Sequence, residues 1–171
     1  MDRKRLLIGS VFVVLLGVWV ATNMGERESI AGMHESWSSL TDAMAQSGTV
    51  RKAVLVDVYT DWCGWCKKMD KDVYTDETVK QLLNRHFIAV KLDAESSDPV
   101  TVNGSTLSSA EFARQAGVTG YPTTLFLDET GKPITAIPGY VDAKRFASIL
   151  QYVGEGHYRT MSYDAFRDRP S

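Results

Sequence analysis

"VDVYTDWCGWCKKMD", Val56 to Asp70, decides the reading of this chain. Its first residues close the Val-rich run "AVLVDVY", Ala53 to Tyr59, which polar residues bound on both sides and which suits a central strand covered on both faces. From about Gly64 into Lys71 the pattern turns helical. Cys63 and Cys66, the chain's two cysteines, therefore fall where a strand gives way to a helix. No third cysteine is available to either.

At such a junction Cys63 meets unpaired backbone N–H groups and the positive end of the helix dipole, both of which favour the thiolate. Cys66, three residues on, shares the helical face and can attack a mixed disulfide formed on Cys63. Three other readings are open. A purely structural disulfide closing so small a loop gains little chain entropy. Half a zinc site needs two more ligands, and His34, His86 and His157 show no ligand-like spacing. A chance pair of buried thiols does not account for the flanking Gly64 and tryptophans. Reversible redox exchange fits best, with Cys63 as nucleophile, Cys66 as resolving thiol, their disulfide as the only redox group and no metal or other cofactor.

Working outward, 171 residues hold one domain with appendages. Apolar content of 44% and charged content of 23% exclude disorder and collagen-like repeats. Lys plus Arg (19) nearly balances Asp plus Glu (21), with no dense basic run beyond the N-terminus, so nucleic acid is not an expected partner. Ile30, Met33, Trp37, Leu40 and Met44 form an apolar helical stripe ending near Ser47-Gly48. Further helices are expected over Asp76 to Asn84, from Ser108 or Ser109 through Ala116, and from Asp142 to about Val153. Strands are expected at Phe87–Leu92, "TTLFLD" and "PITAIP", the last two as a hairpin, and Ala94 to Thr106 reads as a surface loop with "NGS" at its turn. Strands separated by helices are expected to run parallel, which with the antiparallel hairpin gives an α/β sandwich on a mixed central sheet with helices on both faces.

The N-terminus stands apart. Arg3, Lys4 and Arg5 precede an uncharged stretch, Leu6 to Ala21, that as a helix spans roughly 24 Å and reaches further with Thr22 to Met24. Bulky Trp19 beside Ala21 does not make an A-x-A-like cleavage site, so residues 1–24 are read as an uncleaved transmembrane anchor, with a cleaved signal segment as the alternative. Residues 25–29 form a tether, 30–157 the domain and 158–171 a C-terminal tail that folds back as a short helix. The cations before the span place the N-terminus in the cytoplasm and the domain beyond a bacterial inner membrane, in the oxidising periplasm.

"VLVDVYTDWCGWCKKM" followed by "GVTGYPTTLFLD" resembles the thioredoxin superfamily over about Val50 to Val153. With the N-terminal anchor and "IPGYVDAKRFASILQYVGEGHY", the chain is similar to the periplasmic thioredoxins of sulfur-oxidation clusters and, at a greater distance, to the C-terminal domain of the transmembrane thiol:disulfide interchange reductase. The resemblance implies a thioredoxin-like three-layer sandwich. It implies that Asp57 is the buried carboxylate relaying a proton for Cys66, that Lys91 lies beside it, and that Pro122 is a cis proline exposing the backbone of Tyr121 to an extended partner. Trp62, Gly64, Trp65, Thr119, Gly120 and Gly139 complete the partner-binding surface, Gly139 by permitting close approach opposite the proline. Two positions depart from the family: Trp65 replaces the usual proline between the cysteines, and Lys71 replaces a helix-kinking proline, so a straighter helix is expected. The resulting expectation is a periplasmic protein-disulfide reductase acting on protein disulfides and recharged by a membrane thiol reductase. A client-binding module, or handling of copper or another soft metal by the Cys pair, is the alternative.

Overall fold

The computed structural model describes residues 37–169. The anchor expected at 1–24, the tether, and Ile30 and Met33 of the first stripe lie outside these residues. Among the described residues no helix is long and apolar enough to cross a membrane.

The elements follow in the order α1 (Leu40–Val50), β1 (Ala53–Tyr59), α2 (Gly64–Asp72), α3 (Glu77–His86), β2 (Phe87–Asp93), a hairpin of β3 (Pro99–Val102) and β4 (Ser105–Ser108), α4 (Ser109–Gln115), β5 (Thr123–Leu127), β6 (Pro133–Pro138) and α5 (Ala143–Gly154). A 3-10 turn (His157–Arg159) and α6 (Tyr163–Arg167) close the chain. Short polar side chains start the helices. Ser39, Asp76, Ser108 and Asp142 each accept a backbone N–H of the first turn, a contact worth about 1 kcal/mol.

The main sheet has the order β2-β1-β5-β6. Strand β1 lies inside it, parallel to β2 and antiparallel to β5. That corrects the expectation that helix-separated strands all run parallel. Tyr59 pairs with Asp93 and Val58 with Thr123, so β2 leaves the sheet at the same end where β5 enters. The helix between them, α4, has seven residues and rises only about 10 Å, too little to carry the chain back along a seven-residue strand of about 23 Å.

Alternation along β1 divides the core. Val54, Val56 and Val58 face a layer with Leu40 and Ala43 of α1 and Phe112 and Ala113 of α4. Leu55 faces the other, built from Met69 and Val73 at α2, Val79 and Leu83 of α3, and Phe146, Ile149 and Leu150 of α5, around Phe126. This is the three-layer sandwich expected, and α2 runs unbroken past Lys71.

Two further expectations are corrected. Trp37 is not part of the first helix: Ser39 caps it, and the Ser38 N–H donates to the Ala89 carbonyl at 2.9 Å, which draws the chain out along the β2 edge. The segment taken as a loop contains the β3–β4 hairpin, where Asn103 and Gly104, both at positive φ, form a two-residue turn. The tail does pack back, with Tyr163 and Phe166 of α6 against Tyr152 of α5 at 5.4 and 5.5 Å.

Candidate active site

Cys63 is the N-cap of α2, and its Sγ accepts the N–H of Cys66 at 3.0 Å. The sulfur thus occupies the place of a capping oxygen, where an anion is favoured by both the donor and the helix end. Cys63 and Cys66 are joined as a disulfide, with Cα atoms 5.3 Å apart. Both residues are buried, 4% and 2% exposed, whereas their neighbours Trp62 and Trp65 are 66% and 58% exposed. A partner therefore meets aromatic surface first.

That surface has two walls. On one, Trp62 meets Tyr121 edge-on at 5.8 Å, and its indole Nε1–H donates to the carboxylate of Glu95, 3.0 Å from each oxygen. On the other, Trp65 lies 5.5 Å from Tyr140, whose ring sits beneath the ammonium of Lys68. Tyr121 precedes Pro122 through a cis peptide bond, as expected. Thr119 and Gly120 are exposed in the loop before it, and the Gly120 carbonyl accepts the Thr123 hydroxyl at 2.7 Å. A Cβ on Gly64 or Gly120 would meet nothing within 4 Å, so both leave open space beside the walls. Gly139 is opposite Pro122, its N–H donating to the proline carbonyl at 2.7 Å. The reason for glycine there differs from expectation. A Cβ would have open space, but φ is +82°, a conformation that other residues rarely adopt.

Beneath the cysteines lies a charged cluster. Asp57 is 1% exposed and points to the α2 side of the sheet, since it alternates with Val56 and Val58. Its Oδ2 is 2.9 Å from Lys91 Nζ. The ammonium also pairs with Asp70 on α2 and lies 5.1–5.6 Å from the ring centres of Tyr59, Trp37 and Tyr74. Burial pushes the Asp57 carboxyl above the ordinary value, Lys91 opposes this, and the charge of Asp70 adds to the rise. Burial works to lower the pKa of Lys91, but Asp57 and Asp70 outweigh it and hold the ammonium charged. Cys66, Met69 and Val73 share the inward face of α2, which sets Cys66 in the layer of Asp57. The arrangement joins a capped sulfur, a second sulfur bonded to it and a carboxyl whose burial makes it hold a proton more tightly than a carboxyl in water.

All twelve residues singled out in the sequence belong to this region or the loops that border it. Sequence reading missed Glu95, Asp70, Tyr74, Tyr59, Tyr140 and the site role of Trp37. Asp70 is four residues after Cys66, a spacing that could have shown it on the same stretch of helix. Tyr59 is two residues after Asp57 on β1, a spacing that puts it on the same face of the strand; the others reach the site through tertiary packing.

A family model described as a thioredoxin-like domain matches residues 40–154. The chain belongs to this thioredoxin-like family. It is 32% identical over 101 residues to the thiol:disulfide interchange protein DsbD of Actinobacillus pleuropneumoniae serotype 5b (strain L20), a match covering 58% of this chain and 16% of that protein. The chain thus spans about a sixth of that relative's length. Among solved structures, a thioredoxin-fold protein from Helicobacter pylori superposes with a TM-score of 0.62 at 22% identity, over 68% of this chain and 83% of that one. The reduced C-terminal domain of DsbD from Neisseria meningitidis does so with a TM-score of 0.50 at 23% identity, over 66% and 91%. Both likenesses are of fold.

Proposed function

We propose that this protein is a periplasmic thiol:disulfide oxidoreductase, held at the bacterial inner membrane by its N-terminal segment, that reduces disulfides in protein partners. The observation that carries the reading is Cys63 at the N-cap of α2, its sulfur bonded to Cys66 and receiving the Cys66 N–H, in the layer of the buried Asp57. In the dithiol form the Cys63 thiolate attacks one sulfur of the partner disulfide. The other partner sulfur leaves as a thiolate and takes a proton from solvent. Cys66 then gives its proton to the Asp57 carboxylate and attacks Cys63 Sγ, breaking the mixed disulfide and releasing the second partner sulfur. Two electrons pass to the partner and Cys63–Cys66 is left oxidised. A dithiol on a membrane reductase facing the same compartment returns the protein to its reduced form.

The reductive direction is supported by Asp57, a base for the resolving thiol, and by Gly64 and Trp65 between the cysteines, where no histidine stabilises the thiolate. Open aromatic walls in place of an enclosed pocket suit a protein partner, docked as an extended strand beside Tyr121. The same walls favour a second reading, a client-binding module in which the disulfide is incidental. Insulin reduction by the full-length chain separates the two: Cys63→Ser abolishes turnover if the sulfur does the work, and equal activity in both proteins defeats the enzyme reading.

A further inference from the structure

The layer that holds Asp57 contains a second buried polar group for which the exchange above has no use. Lys91 takes Oδ2 of Asp57. The other oxygen, Oδ1, and the hydroxyl of Tyr74 are both buried without a hydrogen-bond partner. Each such atom costs about 1–3 kcal/mol, and native interiors leave few of them without a function or a bound water.

The apolar side chains Met69, Val73, Phe126 and Phe146 share the layer with Tyr74. Tyr74 follows directly on the C-cap of α2, and its ring is wedged edge-on between Trp37 at 4.9 Å and Phe146 at 5.6 Å. That packing fixes where its hydroxyl points. Lys91 Nζ is 2.9 Å from the carboxyl and 5.6 Å from the Tyr74 ring centre, so the ammonium stands beside both side chains. Thr124 pairs with Asp57 across the β1–β5 register and lends a third polar side chain on that face. The two orphan groups already act on each other. The phenol lowers the pKa of Asp57, and the Asp57 charge, after burial, raises that of Tyr74.

We propose that Tyr74 is a positioning residue for Asp57, its O–H donating to Oδ1 directly or across one water and so aiming the carboxylate that accepts the Cys66 proton. This rests on the reading of Asp57 as that acceptor. The charged and titratable groups facing Asp57 are Lys91 from β2, Asp70 and Cys66 from α2, Tyr74 beyond it, and Tyr59 on its own strand. Tyr74 alone among them carries an unpartnered buried hydroxyl.

Tyr74→Phe keeps the ring and removes the donor. Because the phenol favours the charged carboxylate, its loss raises the Asp57 titration midpoint by about half to one pH unit, read from the carboxyl carbon by NMR on the full-length chain in detergent. The acidic limb of the rate–pH profile for insulin reduction moves upward by the same amount. Tyr59→Phe, which removes the other phenol beside Lys91, leaves the midpoint in place. An unchanged midpoint in Tyr74→Phe overturns the proposal whatever happens to thermal stability, and so does an equal shift in Tyr59→Phe. The NMR titration needs no turnover, so it judges Tyr74 even if insulin proves not to be reduced.

Discussion

The two layers of the core treat their buried polar groups in opposite ways. On the α1 and α4 side, the Ser47 hydroxyl lies 3.1 Å from the carbonyls of both Met44 and Glu129, and Ser109 donates to the Asp98 carbonyl at 3.2 Å. These are ties between segments, satisfied and static. On the α2, α3 and α5 side, Asp57 Oδ1 and the Tyr74 hydroxyl go without partners and a carboxyl is held in an unfavourable setting. One layer holds the sheet together; the other holds the carboxyl that the proposed exchange would use as its proton acceptor. Of the four buried side-chain polar atoms without a partner among the described residues, Asp57 Oδ1 and the Tyr74 hydroxyl share this layer, and the other two belong to Thr60 and His86.

The largest effects test whether the apolar parts of the two layers are equivalent. Phe146→Ala and Leu40→Ala each remove a fully packed side chain, one from each layer. Each costs about 2–5 kcal/mol of stability, measured by denaturant unfolding of the full-length chain followed by tryptophan fluorescence. Leu40→Ala leaves the pH dependence of exchange in place, because its layer holds none of the groups around Asp57, whereas Phe146→Ala moves it, because the Phe146 ring helps to hold Tyr74. A shifted profile in Leu40→Ala would break the distinction, since packing in either layer would then set the titration.

A smaller effect of a different kind separates the layers. Burial raises the pKa of Asp57, so the folded protein binds that proton more tightly than the unfolded chain. The stability this brings is complete below the unfolded carboxyl value and is lost as pH rises through the folded one. Above it the buried charge is a cost, and Asp57→Asn removes that cost while Lys91 keeps Asp70 as a partner. The disulfide form of Asp57→Asn is therefore more stable than the parent by about 1–3 kcal/mol near pH 8, with the gain shrinking toward acid pH. Its exchange rate at neutral pH falls by about tenfold or more, because Cys66 has lost its base. A variant destabilised at pH 8 would show that the Lys91 ion pair, not burial, governs Asp57.

Much of this was legible before any coordinates. Strand β1 reads to the residue from its Val run, and the caps at Asp76, Ser108 and Asp142 announce themselves as short acceptors ahead of apolar periodicity. The cysteines place themselves at a strand–helix junction. What escaped was set by distance in space rather than along the chain. Nothing near Glu95 says that its carboxylate meets an indole 33 positions earlier, and Tyr74 reads as one more apolar contact of a helix end. The β3–β4 hairpin was missed because its Ser, Asp and Pro content masked the alternation of Val100 and Val102 around Asn103-Gly104. The direction of β5 depends on the short reach of α4, which periodicity does not encode.

The finest division lies within the site, between its two aromatic walls. Trp62 is tied by its indole N–H to Glu95, whereas Trp65 leans on the ring of Tyr140. If the tie serves to present Trp62 to a protein partner, Glu95→Ala lowers the rate of insulin reduction by about two- to fivefold, the equivalent of one modest net hydrogen bond. The rate with a small aromatic disulfide, which needs no docking surface, stays as it was. Glu95→Gln restores the protein rate, since its amide oxygen also accepts from the indole, and the tryptophan emission of the two variants divides in the same way. Equal losses on large and small disulfides would mean that the carboxylate of Glu95 acts on the sulfur through its charge. The glutamine variant would then fail to rescue, and the two walls would differ in electrostatics rather than in how firmly each ring is held.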